Sequence, residues 1–421
     1  MAPVDANGNA LAPARVWMDR RGSAQIERLH AELSEEAWTD IAGASLGEYS
    51  GAISLALWAD DTPDVFRRAA RFCMVEDYLV GRLCGEYVLD APNASRSLLV
   101  DLHTRDWSDQ LLELLRVDRS RLSTVAESGT PIGHLRAEAA DELGLPRDAL
   151  VVVGAHDQTA GAVGCGAVAP GTIMLATGTA WVLLGAAAEL HITHGSSLQT
   201  YCHALPGGVA VLAAYAGGAI LRWARDTLGI EPDGEPADYD TLVDEALRAA
   251  HGQRGDLVFL PHFYGSGPPW GRRYAFGAIA GLQLAHSRAD LVLGLLRGVA
   301  CQTAAALGAM EDSGYGVSEV RMIGGGSQSD YWAQLVADAS GRPVCVPAVT
   351  EAAALGAGML AAVGAGAIPD AASASEAVRI VREIEPEQQS HNVSPLQMGA
   401  YCDALDETWR RLAEYHSRAN T

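Results

Sequence analysis

From about residue 150 onward, short apolar runs alternate with stretches whose apolar positions recur every three or four residues. Leu150 to Val153 is β-branched and stops at Gly154, which predicts a buried strand of a parallel sheet. Thr172–Ala176 and Trp181–Leu184 flank Thr177-Gly178-Thr179, the pattern of a β-hairpin with a glycine at its tip. Further strands are expected at Gln199–Ala204, Val209–Tyr215, Leu257–Leu260, Glu319–Ile323 and Pro343–Val346. Helices are expected over Gln158–Val163, Ala219–Leu228, from Ser287 to about Met310, over Asp330–Ala339 and Glu351–Val363, and in the tail from Ser394. Strands alternating with helices argue an α/β fold.

The first 150 residues are less regular. Met1 to Ala14 shows no leading strand, yet Asp5-Ala6-Asn7-Gly8 is a turn signal of the kind that joins two hairpin strands. The expectation is that the partner strand is missing and that Ala14 to Trp17 is the returning one, followed by the charged run Asp19-Arg20-Arg21 and a helix to about Leu33. Asp61 and Thr62 can cap a helix opening at Pro63, carrying Val65, Phe66, Phe72 and Tyr78 to Leu83, and ending at Gly85. Asp90 to Arg96 reads as a polar turn, and Asp106 to Leu115 as an amphipathic helix. A short helix lies between Pro131 and Leu150.

Composition narrows the function classes. A chain of 421 residues has length for two domains, each with its own core. Its formal charge of −22, without a basic block, repels nucleic acid and anionic membrane, so neither is an expected partner. Seven cysteines, odd in number and never in CxxC, read as reduced buried thiols of a cytoplasmic protein. No signal peptide is visible, and the apolar stretches are broken by Gly, Arg or Asp short of spanning length.

The candidate chemistry centres on the segment after the strand at 150–153. Ligands of open α/β sheets bind at strand ends, and His156, Asp157 and Gln158 stand there. Asp157 can orient a substrate hydroxyl and accept its proton, or simply cap the helix that follows. His156 has no identifiable acidic partner and reads as structural. The Gly178-Thr179 turn allows close approach of backbone to phosphate. Gly324-Gly325-Gly326-Ser327 joins a strand to a helix, where free N–H groups suit phosphate, although a tight turn without a ligand has the same signature. Glu351 at a helix start reads as a cap. The Gly/Pro-rich stretch His262 to Gly271 reads as a cleft loop.

Several segments together resemble the FGGY carbohydrate kinases: GAHDQTAGAVGCG, PGTIMLATGTAWVLL and RMIGGGSQSDYWAQLVADASGRPVCVPAVTEAAALGAGMLAAVGAG, with PARVWMDRR, VEDYLVGRLCGEYVLDAPNASRSLLVDLHTRDW and LPHFYGSGPPW. They occur in family order and cover nearly the whole chain. The resemblance implies an actin-like architecture of two ribonuclease-H-like domains around a cleft. Residues 1–166 would form the sugar-binding domain and 167–421 the nucleotide-binding one. It implies ATP and Mg²⁺ as cofactors, a small-molecule sugar as substrate, and a homodimer as candidate assembly. By motif, Asp157 falls on the family's catalytic base, Gln158 on a substrate contact, and Gly178 and Thr179 on the phosphate-contacting turn. Gly218 and Arg222 fall where glycerol-phosphorylating members hold nucleotide, and Gly325, Gly326 and Ser329 on positions bordering the adenosine.

The chain departs from the family pattern at four points. The opening strand with its Asp-x-Gly-Thr phosphate loop is absent, so a truncated first domain and weak turnover are expected. The arginine of the loop before Pro268 is missing from Gly265-Ser266-Gly267, and Arg297 stands where a glutamate often precedes Gly-Val. Ala91 replaces the tyrosine of the glycerol-phosphorylating branch, which points to a pentulose, hexulose or related polyol. The reading is therefore an ATP-dependent sugar kinase. The alternative is a catalytically silent sugar- or nucleotide-binding module of the same fold.

Overall fold

The computed structural model describes residues 1–16, 19, 21–187, 189–195, 197–231, 234–250, 257–387 and 395–419. At its centre is a seven-stranded sheet, in spatial order Gln199–Cys202, Val209–Ala216, Ala180–Ala187, Gly171–Thr177, Val317–Ile323, Val344–Pro347 and Ile380–Ile384. The first four are antiparallel neighbours; Val317–Ile323 runs parallel to both strands beside it, and Ile380–Ile384 closes the edge antiparallel.

Alternation along the strands supplies two faces. Ile173 and Leu175 with Leu183, Val211 and Ala213 pack against the long helix Arg288–Asp312 and the helices Gly218–Leu228, Tyr239–Ala250 and Asp330–Ser340. Met174, Leu184, Ala210 and Leu212 face the other way, onto the helix Asp157–Cys165 and onto Ala352, which opens the helix Ala352–Gly364. Arg288–Asp312 starts with a capping box between Ser287 and Asp290. It is long and apolar enough by composition to cross a membrane, contrary to the expectation that no stretch reaches that length, but 78% of its apolar window is buried in this core.

The first 150 residues build a second core around Trp38, Ile53, Leu55, Phe72, Leu89, Leu99 and Leu111. Among the described residues its strands form only two-stranded sheets. The opening does contain a strand: Ala2–Val4 pairs antiparallel with Arg71–Cys73, and the Asp5–Gly8 turn returns the chain so that Ala10 bridges Val4. Asp5 Oδ1 accepts the Asn7 and Asn9 N–H groups, and Gly8 adopts φ +82°. The returning strand expected over 14–17 and the charged run at 19–21 include residues outside the described ones, as does Ser394.

Three local expectations change. The segment from Pro63 is a helix (Pro63–Arg68), a strand (Arg71–Cys73) and a second helix (Val75–Cys84), not one helix. Asp90 to Arg96 is not a turn: Asp90 caps the helix Ala91–Arg96 through the Asn93 N–H. Leu150–Val152 pairs antiparallel with Pro131–His134 in a two-stranded sheet, with Leu150 exposed, so it is not a buried strand of the parallel sheet. All seven cysteines are free thiols; six are buried, and Cys84 is half-buried.

Candidate active site

Asp157 is the first residue of its helix and is exposed, its side chain 69% accessible. Its Oδ1 accepts the Gln158 N–H at 2.7 Å and lies 3.2 Å from His156 Nε2, while Oδ2 has no hydrogen-bond partner among the described residues. His156 therefore has the acidic partner that the sequence did not reveal. Burial holds its imidazole down to about 4, which keeps the ring neutral at pH 7.

Three buried polar atoms near this carboxylate lack a protein partner: His156 Nδ1, Gln158 Oε1 and the Tyr201 hydroxyl. The Tyr201 ring meets His156 edge-on at 5.7 Å. Arg96 lies over the Tyr201 ring at 5.3 Å and over Tyr49 at 5.4 Å, and donates to Gln199 Oε1, whose amide nitrogen donates to the Tyr49 hydroxyl at 3.1 Å. Buried orphaned acceptors and donors are expensive unless a ligand or water completes them. Arg96 lies inside the Asn-Ala-Ser-Arg motif, whereas Tyr49, Gln199 and Tyr201 come from distant segments that no local pattern links to it.

The glycine turns also come together. Ala219 donates its N–H to the Thr179 carbonyl at 2.9 Å, and a Cβ on Gly218 would lie 2.3 Å from the Gly178 carbonyl oxygen. A Cβ on Gly326 would lie 2.9 Å from Thr177 Cβ, and Thr177 donates its hydroxyl to the Ile323 carbonyl at 2.5 Å. The hairpin turn, the start of the helix Gly218–Leu228 and the Gly324–Ser327 turn thus form one surface. Gly178 and Thr179 are exposed on it, and Arg222 is exposed one helical turn beyond Gly218. Gly325 borders an open cavity of about 540 Å³, which Ser327, Gln328, Thr350 and Glu351 also line. That cavity lies beyond the carboxyl ends of two parallel strands, where α/β sheets hold ligands. Ser329 Oγ accepts the Trp332 N–H at 3.2 Å and so caps the helix Asp330–Ser340. Glu351 makes no capping hydrogen bond, contrary to expectation.

Comparison with known proteins decides what lineage this geometry belongs to. The family described as FGGY carbohydrate kinases, N-terminal domain, matches residues 1–164, and its C-terminal domain matches residues 173–365. The chain belongs to the FGGY family of carbohydrate kinases. It is a phosphotransferase with an alcohol acceptor and ATP as donor. It is 32% identical over 418 residues to a glycerol kinase of Geobacter sp. (strain M21), covering 96% of this chain and 81% of that one. It is 31% identical to an autoinducer-2 kinase of Klebsiella pneumoniae, over 95% of this chain and 78% of the relative. Among solved structures, a xylulose kinase of Rhodospirillum rubrum superposes with a TM-score of 0.88 at 27% identity, covering 97% and 83% of the two chains. A kinase of Brucella ovis described as a xyloylose kinase gives 0.84 at 28%, over 100% and 82%. The actin-like α/β fold of these kinases is therefore the fold of this FGGY kinase, in two domains matched over nearly its full length.

Proposed function

We propose that this FGGY kinase transfers the γ-phosphoryl group of ATP to a hydroxyl of a ketose or related polyol, with Asp157 as the base. The supporting observation is the free Oδ2 of an exposed carboxylate beside three unpartnered buried polar atoms. Gln158 N–H holds Oδ1, with the neutral His156 ring 3.2 Å away, which leaves Oδ2 for the acceptor hydroxyl and its proton. His156 Nδ1, Gln158 Oε1 and the Tyr201 hydroxyl would complete their hydrogen bonds to the remaining sugar hydroxyls. Ala91, buried at the start of its helix, stands where glycerol-phosphorylating members carry a tyrosine, and this favours a pentulose or hexulose over glycerol.

The nucleotide would lie along Gly178, Thr179, Gly218, Arg222, Gly325, Gly326 and Ser329, on the domain from residue 167 onward, with the sugar held mainly by residues 1–166. Among the described residues no three His, Cys, Asp or Glu side chains cluster for a metal. Mg²⁺ would be carried on the nucleotide phosphates with few protein ligands. When bound, the ion neutralises charge on the transferring group; the exposed backbone of the Gly178 turn would position the phosphates.

The test is ATP-dependent turnover with glycerol, D-xylulose, D-ribulose and D-fructose. A ketose with kcat/KM at least tenfold above glycerol supports the reading, and preference for glycerol refutes the substrate class.

A further inference from the structure

Between the strand ending at Val152 and the helix starting at Asp157, four residues carry the base without regular structure of their own. Val153 exchanges hydrogen bonds with backbone, its N–H to Thr130 O and its carbonyl with Gly129 N–H, both at 2.9 Å. The next N–H groups go elsewhere. Gly154 N–H donates to Glu76 Oε1 at 3.2 Å, and His156 N–H donates to Asp90 Oδ1 at 3.0 Å. Asn93 Nδ2 joins the two acids, 2.7 Å from Asp90 Oδ2 and 2.9 Å from Glu76 Oε2.

We propose that Asp90 and Glu76, bridged by the Asn93 amide, are positioning residues that fix the backbone from Gly154 to His156 and so aim the Asp157 carboxylate. This rests on Asp157 being the base. Helix capping explains only one of these contacts, the Asn93 N–H on Asp90 Oδ1 at 2.9 Å. A serine or threonine would cap equally well without burying an acid next to another acid. Asp90 is completely buried, and burial followed by its hydrogen bond with Glu76 pushes its carboxyl well above the usual range. Such a pair is costly, and what it supplies is two acceptors for two N–H groups of the base-bearing segment, those of Gly154 and His156. Both come from the first 100 residues, so the sugar-side domain itself sets the position of the base. Reaction rates are steep in that position: a misplacement of about 1 Å can cost roughly 100-fold.

The experiment uses the full chain with Asp90→Ala, Glu76→Ala, Asp90→Asn and, as control, Asp157→Asn. Two readouts are taken: steady-state kinetics with the best sugar, and amide hydrogen exchange. Asp90→Ala is expected to lower kcat by roughly 10- to 100-fold with KM for sugar and ATP within about twofold. It should speed exchange at His156, and Glu76→Ala should do the same at Gly154, while the helix Asp157–Cys165 stays protected. Asp90→Asn keeps an Oδ1 acceptor and can donate to Glu76, so it should recover most of the loss. Unchanged kcat in Asp90→Ala, or parallel losses in kcat, both KM values and thermal stability, overturns the proposal. Unchanged His156 protection overturns it without any turnover being needed. If Asp157→Asn is itself active, it is the base assignment that fails, whatever the exchange data show.

Discussion

The Cβ that Gly218 lacks would lie 2.3 Å from the carbonyl oxygen of Gly178, closer than a real side-chain carbon comes to a backbone oxygen. Two segments forty residues apart in sequence are thereby locked, the hairpin tip resting on the first turn of a helix. Gly218→Ala should push the Gly178-Thr179 tip outward. Overpacking of this kind costs about 1–3 kcal/mol. If the tip holds phosphate, KM for ATP should rise roughly tenfold or more, the effect of about 1.4 kcal/mol, with KM for sugar unchanged. Kinetics at varied ATP decide it; an unaltered KM for ATP would remove the turn from the nucleotide site.

For Asp157→Ala, the expected loss is mostly in kcat. General-base catalysis contributes about 10²–10⁴-fold, and orientation of the hydroxyl adds to it. ATP affinity, measured by calorimetry, should hardly move, because the base acts on the acceptor hydroxyl and not on the nucleotide. Near-normal phosphorylation by this variant would end the assignment.

The sequence made the second half legible because its strands alternate and its glycines stand at strand ends. Val317–Ile323, Gly218–Leu228 and Asp330–Ser340 all lie within two or three residues of expectation. The first half hid its elements for identifiable reasons. In the helix Gly51–Asp61 every residue from Gly51 to Trp58 is buried, so there is no polar face to reveal a helical period. Ala91–Arg96 contains Pro, Asn and Ser, which read as a turn until Asp90 is seen capping it. Asp157 is legible as a candidate because it sits in a motif. Its surroundings are not, because Glu76 and Asp90 reach the segment before it, and Tyr201 reaches His156, only through tertiary contact, and Glu351 lost its capping role to geometry that no local rule contains.

The helix that begins at Asp157 crosses Ala352–Gly364 at glycines on both sides. A Cβ on Gly356 would lie 1.9 Å from the Ala160 carbonyl oxygen, and one on Gly164 would lie 1.9 Å from that of Ala352. Neither backbone can yield without separating the helices, so Gly356→Ala should cost at least the roughly 1–3 kcal/mol of overpacking. By shifting the helix under Asp157 it should also reduce kcat. Gly358, two residues on, has nothing within 4 Å of its would-be Cβ. Gly358→Ala should therefore stabilise, by about 0.5–1 kcal/mol from helix propensity alone. Urea unfolding of the two variants gives opposite signs if the crossing is as described; equal effects would contradict it.

Acidification should destabilise the fold, and the sign follows from five buried or partly buried groups. Burial holds the imidazoles of His156, His203 and His262 down to about 4, against 6.5 in a free side chain. Between about pH 6 and 4 each binds a proton in the unfolded chain but not in the folded one, so each removes stability as pH falls. Two carboxyls oppose them: burial raises Asp77 to about 7 and shifts Asp90 in the same direction. The three imidazoles outnumber the two carboxyls, so the unfolded state binds more protons over that window and stability falls as pH falls. Thermal melts at pH 6, 5 and 4.5 should show a falling midpoint. In His203→Asn, whose Oδ1 can replace the Nδ1 that accepts the Leu205 N–H at 3.0 Å, the slope should become shallower. A midpoint that rises on acidification, or an unchanged slope in that variant, would mean these imidazoles do not govern the acid limb.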